Sequence, residues 1–206
     1  AVLFALGVLV AVSSQATLYF TGWTNGVNAS FGNGGIVPDG NYSGWADSRT
    51  VSTAPAGTIT SVAVTLNITG GWNGDLYAYL VNGSGFTVLL NNIGTGPYGN
   101  AGSGFDVTFS DGGTGGLGTY MANGSSPIIG TWQPDGAGFG SFTGLNPNST
   151  WNLFIADTSS GGVSTVQSWG LQMDIVAVPE VETWVAAALA GMFGAFWLNR
   201  AFWGKN

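Results

Sequence analysis

Between Thr150 and Val176 apolar residues recur at every second position, and no comparable stretch before residue 180 carries a helical period. Trp151, Leu153 and Ile155 share one face of a first arm, and Trp169, Leu171, Met173 and Ile175 repeat the spacing in a second. A period of two is the signature of a strand buried on one side. The residues between the arms, Asp157 to Ser164, are polar and glycine-rich, so the stretch reads as a β-hairpin with an exposed connection. Both Trp-led faces are expected to point the same way, with Trp151 and Trp169 in the core.

The same alternation runs through Thr58 to Thr69, broken by one slip at Ser61. Asp75 to Asn82 and Phe86 to Asn91 read as a hairpin over Gly83-Ser84-Gly85. Asn92 to Gly140 thins to glycine-rich loops with two short apolar pieces, Phe105 to Phe109 and Pro127 to Trp132, and is the expected functional rim. About eight short strands separated by turns predict an all-β jelly-roll sandwich. Thr17 to Ser43 reads as a strand or two joined by turns, one of them Pro38-Asp39-Gly40.

Charge and residue inventory exclude several functions. The net charge is −7, only 6% of residues are charged, and Arg49 is the sole basic residue between Thr17 and Asn199. Nothing there can neutralise phosphates, so nucleic acid is not an expected partner. The chain has no Cys and no His, which removes the usual Ser-His-Asp triad, Cys-His dyads and His-based zinc sites. A non-enzymatic protein is expected.

Several motifs occur in the order found in one family. Thr65-Leu66-Asn67-Ile68-Thr69 precedes Trp72-Asn73-Gly74-Asp75-Leu76, then come Thr87-Val88-Leu89-Leu90, Gly130-Thr131-Trp132-Gln133-Pro134-Asp135-Gly136, Thr150-Trp151-Asn152-Leu153-Phe154-Ile155-Ala156-Asp157 and Ser168-Trp169-Gly170-Leu171. This series resembles the P domain (P/Homo B), the β-rich module that follows the catalytic domain in subtilisin-like proprotein convertases. The resemblance implies a galactose-binding-like jelly roll over residues 44–177, preceded by a Gly/Asn-rich segment, 17–43.

Asp75, Asp106, Asp111, Asp135 and Asp157 sit in or beside expected loops, where hard oxygen ligands suit Ca²⁺. Asp75 and Asp157 match acidic positions of bacterial P domains, some of which bind calcium, and are the expected ligands. The family's further carboxylate is missing from Gly161-Gly162-Val163-Ser164. Trp23, Trp45, Trp72 and Trp132 are candidates for stacking on sugar rings, with Trp72 and Trp132 foremost.

The two ends differ from the middle. Ala1 to Val12 is an uncharged apolar run followed by Ser14 and Ala16, the small residues of an export-signal cleavage site, so residues 1–16 read as a signal peptide cut after Ala16. Residues 178–206 hold Pro179-Glu180, an apolar run from Trp184 to Leu198, then Arg200 and Lys205. This order resembles the PEP-CTERM sorting signal of Gram-negative bacteria, with Val181 in place of its second Pro. The apolar run would form a membrane helix of about 22 Å, short against a hydrocarbon core of about 30 Å, with its basic end cytoplasmic. The resemblance implies a membrane-anchored intermediate, a sorting transpeptidase partner and final delivery to the cell surface or matrix. The expected role is a non-enzymatic surface or matrix protein; the alternatives are an accessory domain of a separately encoded subtilisin-like serine endopeptidase, or a carbohydrate-binding module for exopolysaccharide.

Overall fold

The computed structural model describes residues 17–24 as backbone, and 35–52, 54, 56–94, 98–119 and 127–177. The expected signal peptide with Ala16, and the tail with Pro179 and Glu180, lie outside the described residues. Within them are ten strands and three 3-10 turns. The strands are β1 (Thr17–Thr24), β2 (Ile36–Val37), β3 (Asn41–Thr50), β4 (Gly57–Gly70), β5 (Leu76–Asn82), β6 (Gly85–Asn91), β7 (Phe105–Gly116), β8 (Ile128–Gln133), β9 (Thr150–Asp157) and β10 (Ser164–Ala177).

They form two sheets in a sandwich-like arrangement. One runs β1-β10-β4-β7-β8, with β2 pairing on the start of β10; the other runs β3-β9-β5-β6. The alternating side chains of β4, β5, β9 and β10 meet between them, where Val64, Leu66, Leu76, Leu80, Leu153 and Leu171 are all buried. Each such side chain contributes about 1.5–3 kcal/mol by leaving water.

The two arms expected to form a hairpin do not pair. β9 lies between β3 and β5 in one sheet, whereas β10 lies between β1 and β4 in the other. Trp151 and Trp169 are both fully buried, as expected, but on strands of opposite sheets. Alternation determines which side chains a strand buries; it carries no information about which strand lies alongside. The link from Asp157 to Ser164 therefore crosses from sheet to sheet.

Two other departures have local causes. The slip at Ser61 is a β-bulge: Ser61 pairs with Asp174 and Ile59 with Ile175, so Thr60 is the extra residue and the alternation resumes beyond it. The apolar pieces expected within rim loops are strands: β7 is a core strand with Phe105 and Phe109 fully buried, and β8 is an edge strand parallel to it that buries Ile128. Glycines in the second half of β7 masked its length, since they lack the side chains on which periodicity is read. The β5–β6 hairpin is present, its strands closing at the Asn82–Gly85 pair.

On the outer face of the four-stranded sheet, Tyr79 stacks on Phe154 with ring centroids 4.8 Å apart, and Phe86 and Tyr77 adjoin it at 5.5 and 6.2 Å. Gly44 makes room for this row. A Cβ there would stand 2.7 Å from the Phe154 ring, and its φ of +58° is one that glycine adopts without strain.

Candidate functional site

Three neighbouring strand ends carry carboxylates. Leu76 pairs with Asp157, which sets Asp75, the last residue of a 3-10 turn (Asn73–Asp75), beside the end of β9. Thr158 secures that approach by donating its N–H and its hydroxyl to the Asp75 carbonyl at 2.8 and 2.9 Å. On its other side Asp157 pairs with Asn41, just after the turn that carries Asp39. The Asp39 carboxylate accepts the N–H groups of Gly161 and Gly162 at 2.9 and 3.4 Å, in the loop where the family's further carboxylate is absent.

Asp157 is fully buried. Its Oδ1 accepts the Ser159 N–H at 3.2 Å, while its Oδ2 is buried without a hydrogen-bond partner. Burial pushes its carboxyl above the usual range, and the negative charges of Asp75 and Asp39 push it further, against the pull of the Ser159 and Gly40 N–H groups. Asp75 is raised by the same two causes, burial first and then Asp39. Arg49 offers no relief, because it is buried against Asp47 at 2.8 Å.

Thus the two expected calcium ligands are brought together, and Asp39 joins them. Among the described residues no group of three or more acidic side chains is arranged to hold a metal ion by itself. The oxygen-only donors and the orphaned, buried Asp157 Oδ2 fit a hard cation whose shell is completed by backbone carbonyls and water.

The other acidic candidates stand apart from this end. Asp135 accepts the N–H groups of Asn91 and Gly118 at 2.9 and 2.7 Å, and burial raises its carboxyl despite them. Asp111 accepts the Phe139 N–H at 2.9 Å, and Asp106 is an exposed residue of β7. The first two fasten loops to the sandwich.

Beside the carboxylates opens a cleft of about 750 Å³. Trp72 and Tyr98 line it with Asp75, Asn92, Ser159 and Ser160. Its floor depends on bare backbone: a Cβ on Gly74 would lie 2.5 Å from the Asn100 nitrogen, where Gly74 N–H donates to the Asn100 carbonyl at 2.9 Å. Of the two foremost stacking candidates, Trp72 is exposed in this cleft. Trp132 is not: it is half-buried against the core and donates to the Ile129 carbonyl at 3.0 Å. Trp45 also packs on the core, and the Trp23 side chain lies outside the described residues.

Asp39 and Tyr98 were not singled out from sequence. The turn around Asp39 is legible, but its position beside Asp157 follows from β3 pairing with β9 across more than a hundred residues. Tyr98, a single aromatic in a glycine-rich run, carries no pattern at all.

No family model matches the chain, and no curated protein matches it. Its fold is shared with a chain in the crystal structure of the Aeromonas sobria serine protease in complex with its chaperone, at a TM-score of 0.51 and 14% identity. The match covers 80% of this chain and 28% of that one, so the chain spans little more than a quarter of the length of the solved chain. The crystal structure of the Aeromonas sobria serine protease is similar at a TM-score of 0.49 and 14% identity, covering 78% and 27%. The first of these likenesses shows the fold.

Proposed function

We propose that this protein is a non-catalytic, jelly-roll binding module that acts as an accessory to a separately encoded subtilisin-like serine endopeptidase. The observation that carries this reading is the fold shared with a 28% portion of a chain in the Aeromonas protease–chaperone structure. The ordered P-domain-like motifs support it from sequence, and the lack of His and Cys removes the common nucleophile–base pairs. The run ending at Ala16 and the Pro179-Glu180 tail support export, membrane anchoring and sorting to a Gram-negative surface or matrix.

In this reading Asp75 and Asp157 hold Ca²⁺, with Asp39 alongside. The ion would supply the positive charge these carboxylates lack and pin three strand ends together. Affinity near the millimolar end of extracellular modules is expected, since few charges contribute.

The test is co-expression of the full chain with each subtilisin-like endopeptidase encoded by its source, followed by size-exclusion chromatography and measurement of the protease's thermal inactivation half-life. Co-elution with one of them and a longer half-life are expected. Separate elution from every one, with unchanged half-lives, overturns the accessory role.

A further inference from the structure

We infer that the cleft beside Asp75 binds a neutral glycan, with Trp72 as the ring on which a sugar stacks. Trp72 is 44% exposed, yet it is held in place: its indole N–H donates to the Gly161 carbonyl at 3.2 Å. Gly162 closes on the same edge, where a Cβ would stand 2.8 Å from the indole Cδ1. The loop thus fixes a large ring at the surface instead of covering it. Such an exposed, immobilised aromatic gives contact area without an ordering cost on binding.

The rest of the cleft has the complementary chemistry. Tyr98, 82% exposed, adds a second ring, and Asn92, Ser159 and Ser160 supply short hydrogen-bonding groups beside the Asp75 carboxylate. A sugar presents an apolar C–H face and a rim of hydroxyls, and this lining offers a partner to each. A volume of about 750 Å³ lies within the range of small-ligand sites.

Charge narrows the class. Among the described residues Asp75 is the only formally charged group lining the cleft, Asp39 and Asp157 lie close by, and Arg49 is buried with Asp47. Without bound Ca²⁺, anionic glycans would meet repulsion and find no cation among the described residues lining the cleft. A lysine or arginine side chain of a protein would suit Asp75 but leave Tyr98 and the Ser159–Ser160 loop without partners. The glycan site goes beyond the protease-accessory reading and does not depend on it.

Affinity electrophoresis of the full chain in EDTA, in gels containing dextran, a mannan, a galactomannan or a mixed-linkage β-glucan, tests the site; polygalacturonate serves as the anionic comparison. At least one neutral polymer is expected to retard the protein, and polygalacturonate is not. Trp72→Ala should weaken retardation at least tenfold and Tyr98→Ala severalfold, while Ile129→Ala, at an exposed position on β8, should leave it unchanged. Trp72→Phe, which keeps a ring, should retain part of the binding and guards against misreading a folding defect. Retardation by none of the four polymers, equal retardation of Trp72→Ala and parent, or displacement of the polymer by a lysine-rich peptide overturns the proposal.

Discussion

The indole N–H of Trp169 donates to Asp47 Oδ2 at 2.8 Å inside the sandwich, joining β10 of the six-stranded sheet to the edge strand β3 of the other. The same oxygen accepts from Arg49 Nε at 2.8 Å, so one buried carboxylate oxygen serves both partners. Removing Asp47 would leave the Arg49 guanidinium buried without its carboxylate. Asp47→Ala is therefore expected to lower stability by about 3–5 kcal/mol. Trp169→Phe, which removes a single hydrogen bond to a charged group, should cost about 1.5–3 kcal/mol before any packing loss. Urea denaturation orders the two, and a smaller loss for Asp47→Ala than for Trp169→Phe would contradict the arrangement.

Trp151 and Trp72 should respond unequally to truncation. Trp151 is fully buried and stacks on Phe142 with centroids 5.4 Å apart, so Trp151→Ala should cost about 3–5 kcal/mol. Trp72→Ala, which loses one hydrogen bond to the Gly161 carbonyl and little packing, should cost less, about 0.5–1.5 kcal/mol. Thermal melts of the two variants, which need no ligand, decide this.

Acidification should stabilise the protein in the absence of divalent ions. Burial, with the negative charge of Asp39 and for Asp157 also that of Asp75, holds Asp75 and Asp157 above the usual carboxylate value, and burial holds Asp135 there too. A carboxyl with a higher pKa in the folded state binds its proton more tightly there. Stability is then greatest below the unfolded value of about 3.9 and is lost as pH rises through the raised folded values, levelling off above them. Other carboxylates add their own slopes, so the informative quantity is the difference between parent and variant. Urea midpoints from pH 4 to 7 in EDTA should fall less steeply with pH in Asp157→Asn than in the parent. Identical slopes would count against the burial of this charge.

Calcium should reverse that relation. At neutral pH without metal, Asp157→Asn is expected to be more stable than the parent, because it removes a buried charge repelled by Asp75 and Asp39. With Ca²⁺ at about 100 times its Kd, the parent should gain about 2.7 kcal/mol and the variant little. Differential scanning calorimetry at zero and about 100 mM Ca²⁺, on the order of 100 times a millimolar Kd, against NaCl of equal ionic strength measures both. Equal shifts in parent, Asp75→Asn and Asp157→Asn would remove these residues as ligands.

The sequence revealed burial far better than adjacency. Alternation identified the inward side chains of β4, β9 and β10, and even the Thr60 bulge was visible as a slip at Ser61. Yet the same pattern suits a strand in either sheet, which is why β9 and β10 read as partners. The site divides likewise. Asp75 and Asp157 were recognisable from their motifs, while Asp39 joined them through the pairing of β3 with β9, a long-range choice no local window records. Trp132 and Trp72 look alike in sequence, each a lone tryptophan beside a glycine-rich turn. Only the parallel pairing of β8 with β7 turns Trp132 towards the core and leaves Trp72 at the rim.

β10 occupies an interior place in its sheet although it is the last described strand to leave the ribosome. It is flanked by β1 and β4 and touched by β2, so three segments made earlier have no partner on that side until residues 164–177 are synthesised. Long-range pairings of this kind form late and slowly. The nascent chain must therefore remain open through nearly all of its synthesis, and a stop codon anywhere before Ala177 would leave an unfinished sheet with exposed, aggregation-prone edges rather than a smaller working domain.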